Sequence, residues 1–210
     1  MKIISHRGFW KEKDEKNTFK AFERSFISGF GTETDIRDFK GELVISHEMA
    51  DASSPSLDDF FALYNSIDPS LTLALNIKAD GLQEKLKQLI QKYDITNYFV
   101  FDMAVPDGLI YLKHELNSFT RQSEYEPIPA YYENAQGVWL DEFHRHWISN
   151  EKIIEHVQKK KKVCIVSPDL HQRDYISEWN DYYKLISDSL TESIILCTDY
   201  PDKAKSFFYE

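Results

Sequence analysis

Three short stretches near the start of the chain carry side chains suited to work on a phosphate ester: Ser5-His6-Arg7-Gly8, Glu33-Thr34-Asp35 and Ile45-Ser46-His47-Glu48. Glu33 and Asp35 alternate with Thr34, so on a strand they share one face. Two carboxylates aimed at one spot repel each other unless something positive lies between them. A hard divalent cation, Mg2+ or Ca2+, is the natural partner for such oxygen ligands. Histidine titrates near neutrality. His6 and His47 therefore suit a pair in which one removes a proton from the nucleophile and the other returns one to the leaving alkoxide. Arg7 brings a fixed positive charge for a phosphate oxygen, and Gly8 lets the backbone turn sharply behind it. Together these residues meet the needs of phosphodiester cleavage.

Residues this far apart in sequence need elements that deliver them to one place. Strand patterns fall at Lys2–Ser5, Thr32–Arg37, Leu71–Lys78, Tyr98–Asp102, Ser118–Arg121, Val138–Asp141, Lys162–Ser167 and Ser193–Thr198. Helical patterns lie between most of them, at Thr18–Ser28, Ser56–Ser66, Leu82–Tyr93, Pro106–Glu115, Asn150–Lys160, Asp174–Ser189 and Asp202–Phe208. Strands alternating with helices to a count of eight predict an α/β fold, a single (β/α)8 barrel over residues 1–210; an open doubly wound sheet is the alternative. In a barrel the C-terminal strand ends form the mouth where active sites assemble. The turn Asp38–Glu42 followed by Leu43–Ser46 predicts a hairpin after the second strand, and Glu124–Ala135, with two prolines, reads as a loop.

The motifs have an order as well as a content. His6-Arg7-Gly8, then Glu15-Lys16-Asn17-Thr18-Phe19-Lys20-Ala21-Phe22, then Gly31-Thr32-Glu33-Thr34-Asp35, then Gly41-Glu42-Leu43-Val44-Ile45-Ser46-His47-Glu48 resemble the glycerophosphodiester phosphodiesterase family. Its pattern is HRG, PENT with a following AF, a GxxxExD strand, and DG ending in HD. The ending Cys197-Thr198-Asp199-Tyr200-Pro201 resembles the family's closing TD-x-P. The resemblance implies a barrel, a divalent metal, and hydrolysis of a glycerophosphodiester to an alcohol and glycerol 3-phosphate. By position it makes His6 and His47 the acid–base pair, Arg7 a phosphate ligand, and Glu33 and Asp35 metal ligands.

Three departures stand out. No proline precedes Lys16. The family's insertion after the HD motif is nearly absent, because a helix begins at Ser56. The family's third strand ends in E-x-K, whereas Leu75-Asn76-Ile77-Lys78 puts Asn76 at the place of a metal carboxylate. An amide oxygen still ligates a hard cation, with one negative charge fewer. Lys78 keeps a phosphate-binding position, and Asp102, ending the next strand, is a candidate to supply the missing charge. Four further residues follow later strands and are candidate substrate contacts: Trp139, Asp141, Asp169 and His171. His144 and His146 are expected as surface loop residues, and His114 and His156 as solvated or satisfied on amphipathic helices. Trp179, Tyr182 and Tyr183 read as helix-face packing.

Composition narrows the partners. A net charge of -10 argues against nucleic acid and against an anionic membrane surface, leaving a small phosphodiester as the expected ligand. No stretch approaches a membrane span or a signal peptide, so a soluble, cytoplasmic protein is expected. Cys164 and Cys197 sit in apolar runs and are expected as buried thiols. Two rival functions share the same residues: a metal-independent, phospholipase C-like lyase on the same barrel, and a phosphodiester-binding protein without turnover. The sequence does not address oligomeric state.

Overall fold

In a computed structural model, which describes residues 1–185 and 191–210, parallel strands alternate with helices along the chain. The chain forms two compact units, Ser5–Ser118 and Met1–Ile4 with Phe119–Glu210. Strand β1 (Lys2–His6) begins in one and ends in the other.

In the unit of residues 5–118, β1 is followed by α1 (Phe19–Ile27), β2 (Gly31–Phe39), β3 (Glu42–Ile45), α2 (Leu57–Ile67), β4 (Leu73–Ile77), α3 (Gln83–Lys92), β5 (Tyr98–Phe101) and α4 (Val105–Lys113). β4 pairs in parallel with β2 and with β5, so every crossover is a helix. The register sets Asp35 beside Asn76 and Asn76 beside Phe101. β3 returns antiparallel on β2, as the hairpin signal predicts. Its two-residue turn is Lys40-Gly41, both at positive φ (51° and 88°), the backbone that matches strand twist in a tight hairpin. Thr18 caps α1 by accepting from the Ala21 N–H, and Ser56 caps α2 by accepting from Asp58 and Asp59. The helices' inner faces carry Phe22, Phe26, Phe60, Phe61 and Tyr64, all buried, with the Phe22 and Phe60 rings 4.7 Å apart. Truncating one such ring, as in Phe60→Ala, costs about 3–5 kcal/mol. That packing is the rigid support for the strand ends.

The second unit runs β6 (Phe119–Gln122), β7 (Gly137–Leu140), α5 (Asn150–Gln158), β8 (Lys162–Val166), α6 (Ile176–Tyr183), β9 (Ile194–Thr198) and α7 (Pro201–Tyr209). Its four strands pair in parallel in chain order. The core gathers Val138, Leu140, Ile165, Trp179, Tyr182 and Phe208. Cys164 and Cys197 are buried thiols, not joined in a disulfide. Their strands are neighbours, but Cys164 sits opposite Ile195 and Cys197 opposite Val166. Tyr183 is half exposed, unlike its packed neighbours Trp179 and Tyr182. The helix expected over 174–189 is α6, Ile176–Tyr183; residues 186–189 of that expectation lie outside the described residues. The segment 124–135 contains turns and no helix. Among the described residues no helix is long and apolar enough to cross a membrane.

Candidate active site

The site is built first by the backbone of the β1–α1 loop. Arg7 and Gly8 both take positive φ (58° and 86°), which swings the chain out of β1 within two residues. A side chain at position 8 is excluded, because its Cβ would lie 2.7 Å from the Ala21 Cβ. The Gly8 N–H donates to Thr32 Oγ1 at 3.0 Å, and the Arg7 N–H donates to the Glu33 carbonyl at 3.0 Å. The loop closes on itself where the Asn17 N–H donates to the Arg7 carbonyl at 2.9 Å. Glu15 pins its outer part, accepting from the Lys11 N–H and from Arg24 at 2.8 Å each. Lys20 also pairs with Glu15, and with Arg24 it holds that carboxyl far below the ordinary range.

Inside that loop the carboxylates converge. Asp35 is fully buried; its Oδ2 lies 2.9 Å from Arg7 Nε and accepts from Asn17 Nδ2 at 2.8 Å. Asn17 Oδ1 accepts in turn from Thr34 Oγ1 at 2.9 Å, which fixes the amide's orientation. Lys78 Nζ stands 3.5 Å from Asp35 Oδ1 and 3.4 Å from Asp102 Oδ2. Glu33 is buried, 3.9 Å from His6 Nε2, and accepts a longer bond of 3.3 Å from the Arg7 N–H. Burial, and then the charge of Asp35, push its carboxyl well above the ordinary range, against the pull of Arg7, Lys78 and a hydrogen bond from Asn76. Asp102 leaves β5 at φ 71° and pairs with Lys78; Ala104 rather than Asp102 occupies the position that caps α4.

His47 follows β3 on a more open flank. Its side chain is 44% exposed, and its Nδ1 is 2.7 Å from Glu48 Oε1. Its carbonyl accepts from Arg37 at 3.2 Å. His47 and Arg7 line one pocket of about 540 Å3.

The donor set fits a divalent cation. Asp35 Oδ1 and Asn76 Oδ1 are buried oxygens with no hydrogen-bond partner, a rare condition in a folded protein. Both belong to types that bind hard cations. Positive charge there also favours the ionised form of Glu33. With Asn76 in place of a carboxylate the set is less negative than three acids would make it, which weakens its hold on the ion.

The second unit holds the later candidates. Trp139 is buried on β7. Asp141 Oδ1 is 2.7 Å from His171 Nε2 and raises that ring's pKa. Asp169 is buried and accepts from Ser167, from Thr198 Oγ1 at 3.0 Å and from the Asp199 N–H at 2.7 Å. It ties the loop after β8 to the Thr198-Asp199 motif. His156, expected to be solvated or satisfied, is satisfied: its Nδ1 is 2.7 Å from Tyr132 Oη and its Nε2 is 2.9 Å from Gln122 Oε1. His146 is an exposed loop residue, as expected, but it is engaged. Its Nδ1 lies 3.3 Å from Glu142 Oε2 and 3.4 Å from Glu178 Oε2. These three residues are, among the described residues, a group with metal-ligating atoms all within 4.8 Å. Arg173 already occupies the cation's role, 3.1 Å from Glu142 Oε1 and 2.6 Å from Glu178 Oε1. Glu142 Oε2 also accepts from the Trp147 and Ile148 N–H groups. Spacing along the chain gave no hint of this network. Asn17, by contrast, was visible in the Glu15–Phe22 motif but without a role until its clamp on Asp35 was seen.

No family model matches the sequence, and no curated protein matches it. Solved structures do resemble it. A glycerophosphodiester phosphodiesterase from Agrobacterium tumefaciens superposes with a TM-score of 0.70 at 15% identity, over 99% of this chain and 98% of that one. A phosphodiesterase from Oleispira antarctica, solved with the product sn-glycerol-3-phosphate, gives 0.72 at 16% identity over 100% and 97%. A Ca2+-dependent phosphatidylinositol-specific phospholipase C from Streptomyces antibioticus gives 0.57 at 9% over 99% and 96%.

Proposed function

We propose that this chain, which has the (β/α)8-barrel fold of the glycerophosphodiester phosphodiesterases, with a β-hairpin after β2 and only Glu48–Pro55 between the His47 segment and the cap of α2, is a phosphoric diester hydrolase of one catalytic domain. It would cleave a small glycerophosphodiester to an alcohol and glycerol phosphate. The observation that carries the reading is the convergence of Arg7, Lys78, Glu33, Asp35 and Asn76, where two buried oxygens, Asp35 Oδ1 and Asn76 Oδ1, accept no hydrogen bond. Glu33, Asp35 and Asn76 would hold the divalent cation. When bound, it supplies Lewis-acid neutralisation of phosphate charge.

The remaining work belongs to the chain's own residues. Arg7 and Lys78 are the fixed cations that meet the phosphate oxygens, each held in place beforehand by Asp35. His6, steadied against Glu33, and His47, paired with Glu48, serve as the acid–base couple. His47 stands on the solvent-facing flank, where proton exchange with water is direct. Half-buried Asn17, itself fixed by buried Thr34, orients Asp35.

Release of glycerol 3-phosphate from a panel of glycerophosphodiesters, with Mg2+, Ca2+ or EDTA, tests the reading beside the His6→Ala protein. Turnover that needs a cation and is lost in His6→Ala is the expected result. A folded protein that turns over no diester overturns it in favour of binding without cleavage. A second reading rests on the 2.9 Å contact between Arg7 Nε and Asp35, which sets a guanidinium against the carboxylates. Turnover insensitive to EDTA, with a cyclic phosphate product, favours that lyase.

A further inference from the structure

The β1–α1 loop is densely charged, Lys11-Glu12-Lys13-Asp14-Glu15-Lys16, yet it does not present its charges evenly. Of those six residues only Lys13 and Lys16 line the pocket that also contains Arg7 and His47; Glu12, Asp14 and Glu15 do not. Glu15 is engaged with Arg24 and Lys20. Lys16 has a defined seat: its Nζ lies 4.5 Å from the Trp10 ring centroid, and Trp10 Nε1 donates to the His6 carbonyl at 3.1 Å. The indole therefore couples the lysine's position to the backbone of a proposed catalytic histidine. The facing wall carries two acids, each turned to a local partner. Glu48 pairs with His47, and Asp51 accepts from the Ser53 N–H at 2.8 Å and Ser53 Oγ at 2.6 Å. In a chain of net charge -10, the lining of this pocket carries three fixed cations, Arg7, Lys13 and Lys16, against two acids.

We propose that Lys13 and Lys16 select a diester whose leaving alcohol carries a further negative charge, a carboxylate or a second phosphate. This rests on the phosphodiesterase reading and names its substrate class. With the scissile phosphate at Arg7, the alcohol extends along the loop wall toward the two ammonium groups. A cationic alcohol such as choline meets repulsion there, and a neutral one such as glycerol gains nothing.

The test compares kcat/KM for glycerophosphocholine, glycerophosphoglycerol, glycerophosphoglycerate and a glycerophosphoglycerol bearing a terminal phosphate. The same panel is measured for binding by calorimetry. The expected result is a preference of about tenfold for the phosphate-bearing diester over the neutral one, shrinking in 0.5 M salt, where the Debye length is about 4 Å against about 10 Å at 0.1 M. Reversal of both lysines (K13E/K16E, at solvent-facing loop positions) should invert that ratio. The glycerate and phosphate arms separate a carboxylate from a second phosphate as the group recognised. Equal kcat/KM for charged and neutral diesters, or a ratio unmoved by the double reversal, overturns the inference while the phosphodiesterase reading stands. Absence of all turnover overturns that reading instead, and equal affinities in the calorimetry then overturn this inference on their own.

Discussion

Two clusters in this molecule have nearly the same ingredients and opposite character. Around β2, the buried pair Glu33 and Asp35 faces Arg7 and Lys78. In the second unit, the buried pair Glu142 and Glu178 faces Arg173 and His146. In each, burial raises one carboxyl well above the ordinary range. The contrast lies in what is left over. Arg173 spans both carboxylates of the second cluster, backbone N–H groups and His146 take up the other Glu142 oxygen, and Tyr182 Oη reaches Glu178. The first cluster leaves Asp35 Oδ1 and Asn76 Oδ1 with no hydrogen-bond partner. Paired acids and a guanidinium therefore do not by themselves mark a ligand site; unspent acceptors do.

The largest expected effect separates the clusters by activity. Asp35→Asn should lower kcat/KM by about a thousandfold, whereas Glu142→Gln should leave kcat within about twofold in steady-state assays on folded protein. Comparable losses from both would erase the distinction. Stability should divide them the other way. Arg173→Met strands two buried carboxylates and should cost about 3–5 kcal/mol in urea unfolding; a loss under 1 kcal/mol would show that the network is not holding the fold. Cation binding sharpens the contrast further. Ca2+ or Mg2+ at a hundredfold excess over Kd should stabilise the protein by about 2.7 kcal/mol. The increment should vanish in Asp35→Asn and persist in Glu178→Gln, and Asn76→Asp should tighten the ion about tenfold, read by calorimetry.

The smallest effect concerns His156, satisfied by Tyr132 and Gln122 as a neutral ring. Burial lowers its pKa from 6.5 to about 4. Between those values the unfolded chain binds a proton that the folded ring refuses. Stability therefore falls as pH drops through that window and is complete above 6.5. The slope is some fraction of about 1.4 kcal/mol per pH unit, since solvent screens part of the effect. His156→Gln should flatten it in chemical denaturation at pH 4.5 to 7; an unchanged slope would assign the acid sensitivity elsewhere.

Strand and helix patterns were readable because each element's apolar face follows its own period. Leu73, Leu75 and Ile77 on β4, and Phe22 and Phe26 on α1, mark buried faces without reference to anything distant. The residues of the first cluster were readable because short motifs at strand ends hold them. What the sequence withheld was partnership. Arg173 lies 31 positions from Glu142, and nothing in their spacing ties a loop arginine to a strand-end acid. Lys78 was legible as a phosphate ligand, but its pairing with both Asp35 and Asp102 depends on strand register and on the turn after β5. Asn17 could be quoted from its motif, yet its clamp on Asp35 needs the left-handed backbone it adopts at φ 60°.

Asp102 keeps a left-handed backbone at φ 71° while holding Lys78 at 3.4 Å. Glycine would adopt that conformation at no steric penalty, whereas an L-residue forfeits about 1 kcal/mol. A randomised library at this position, propagated under selection for folding alone, should therefore drift toward glycine. The same library propagated under selection for turnover should retain aspartate, and the divergence between the two populations would measure what the lineage has given up in robustness to keep that lysine tethered.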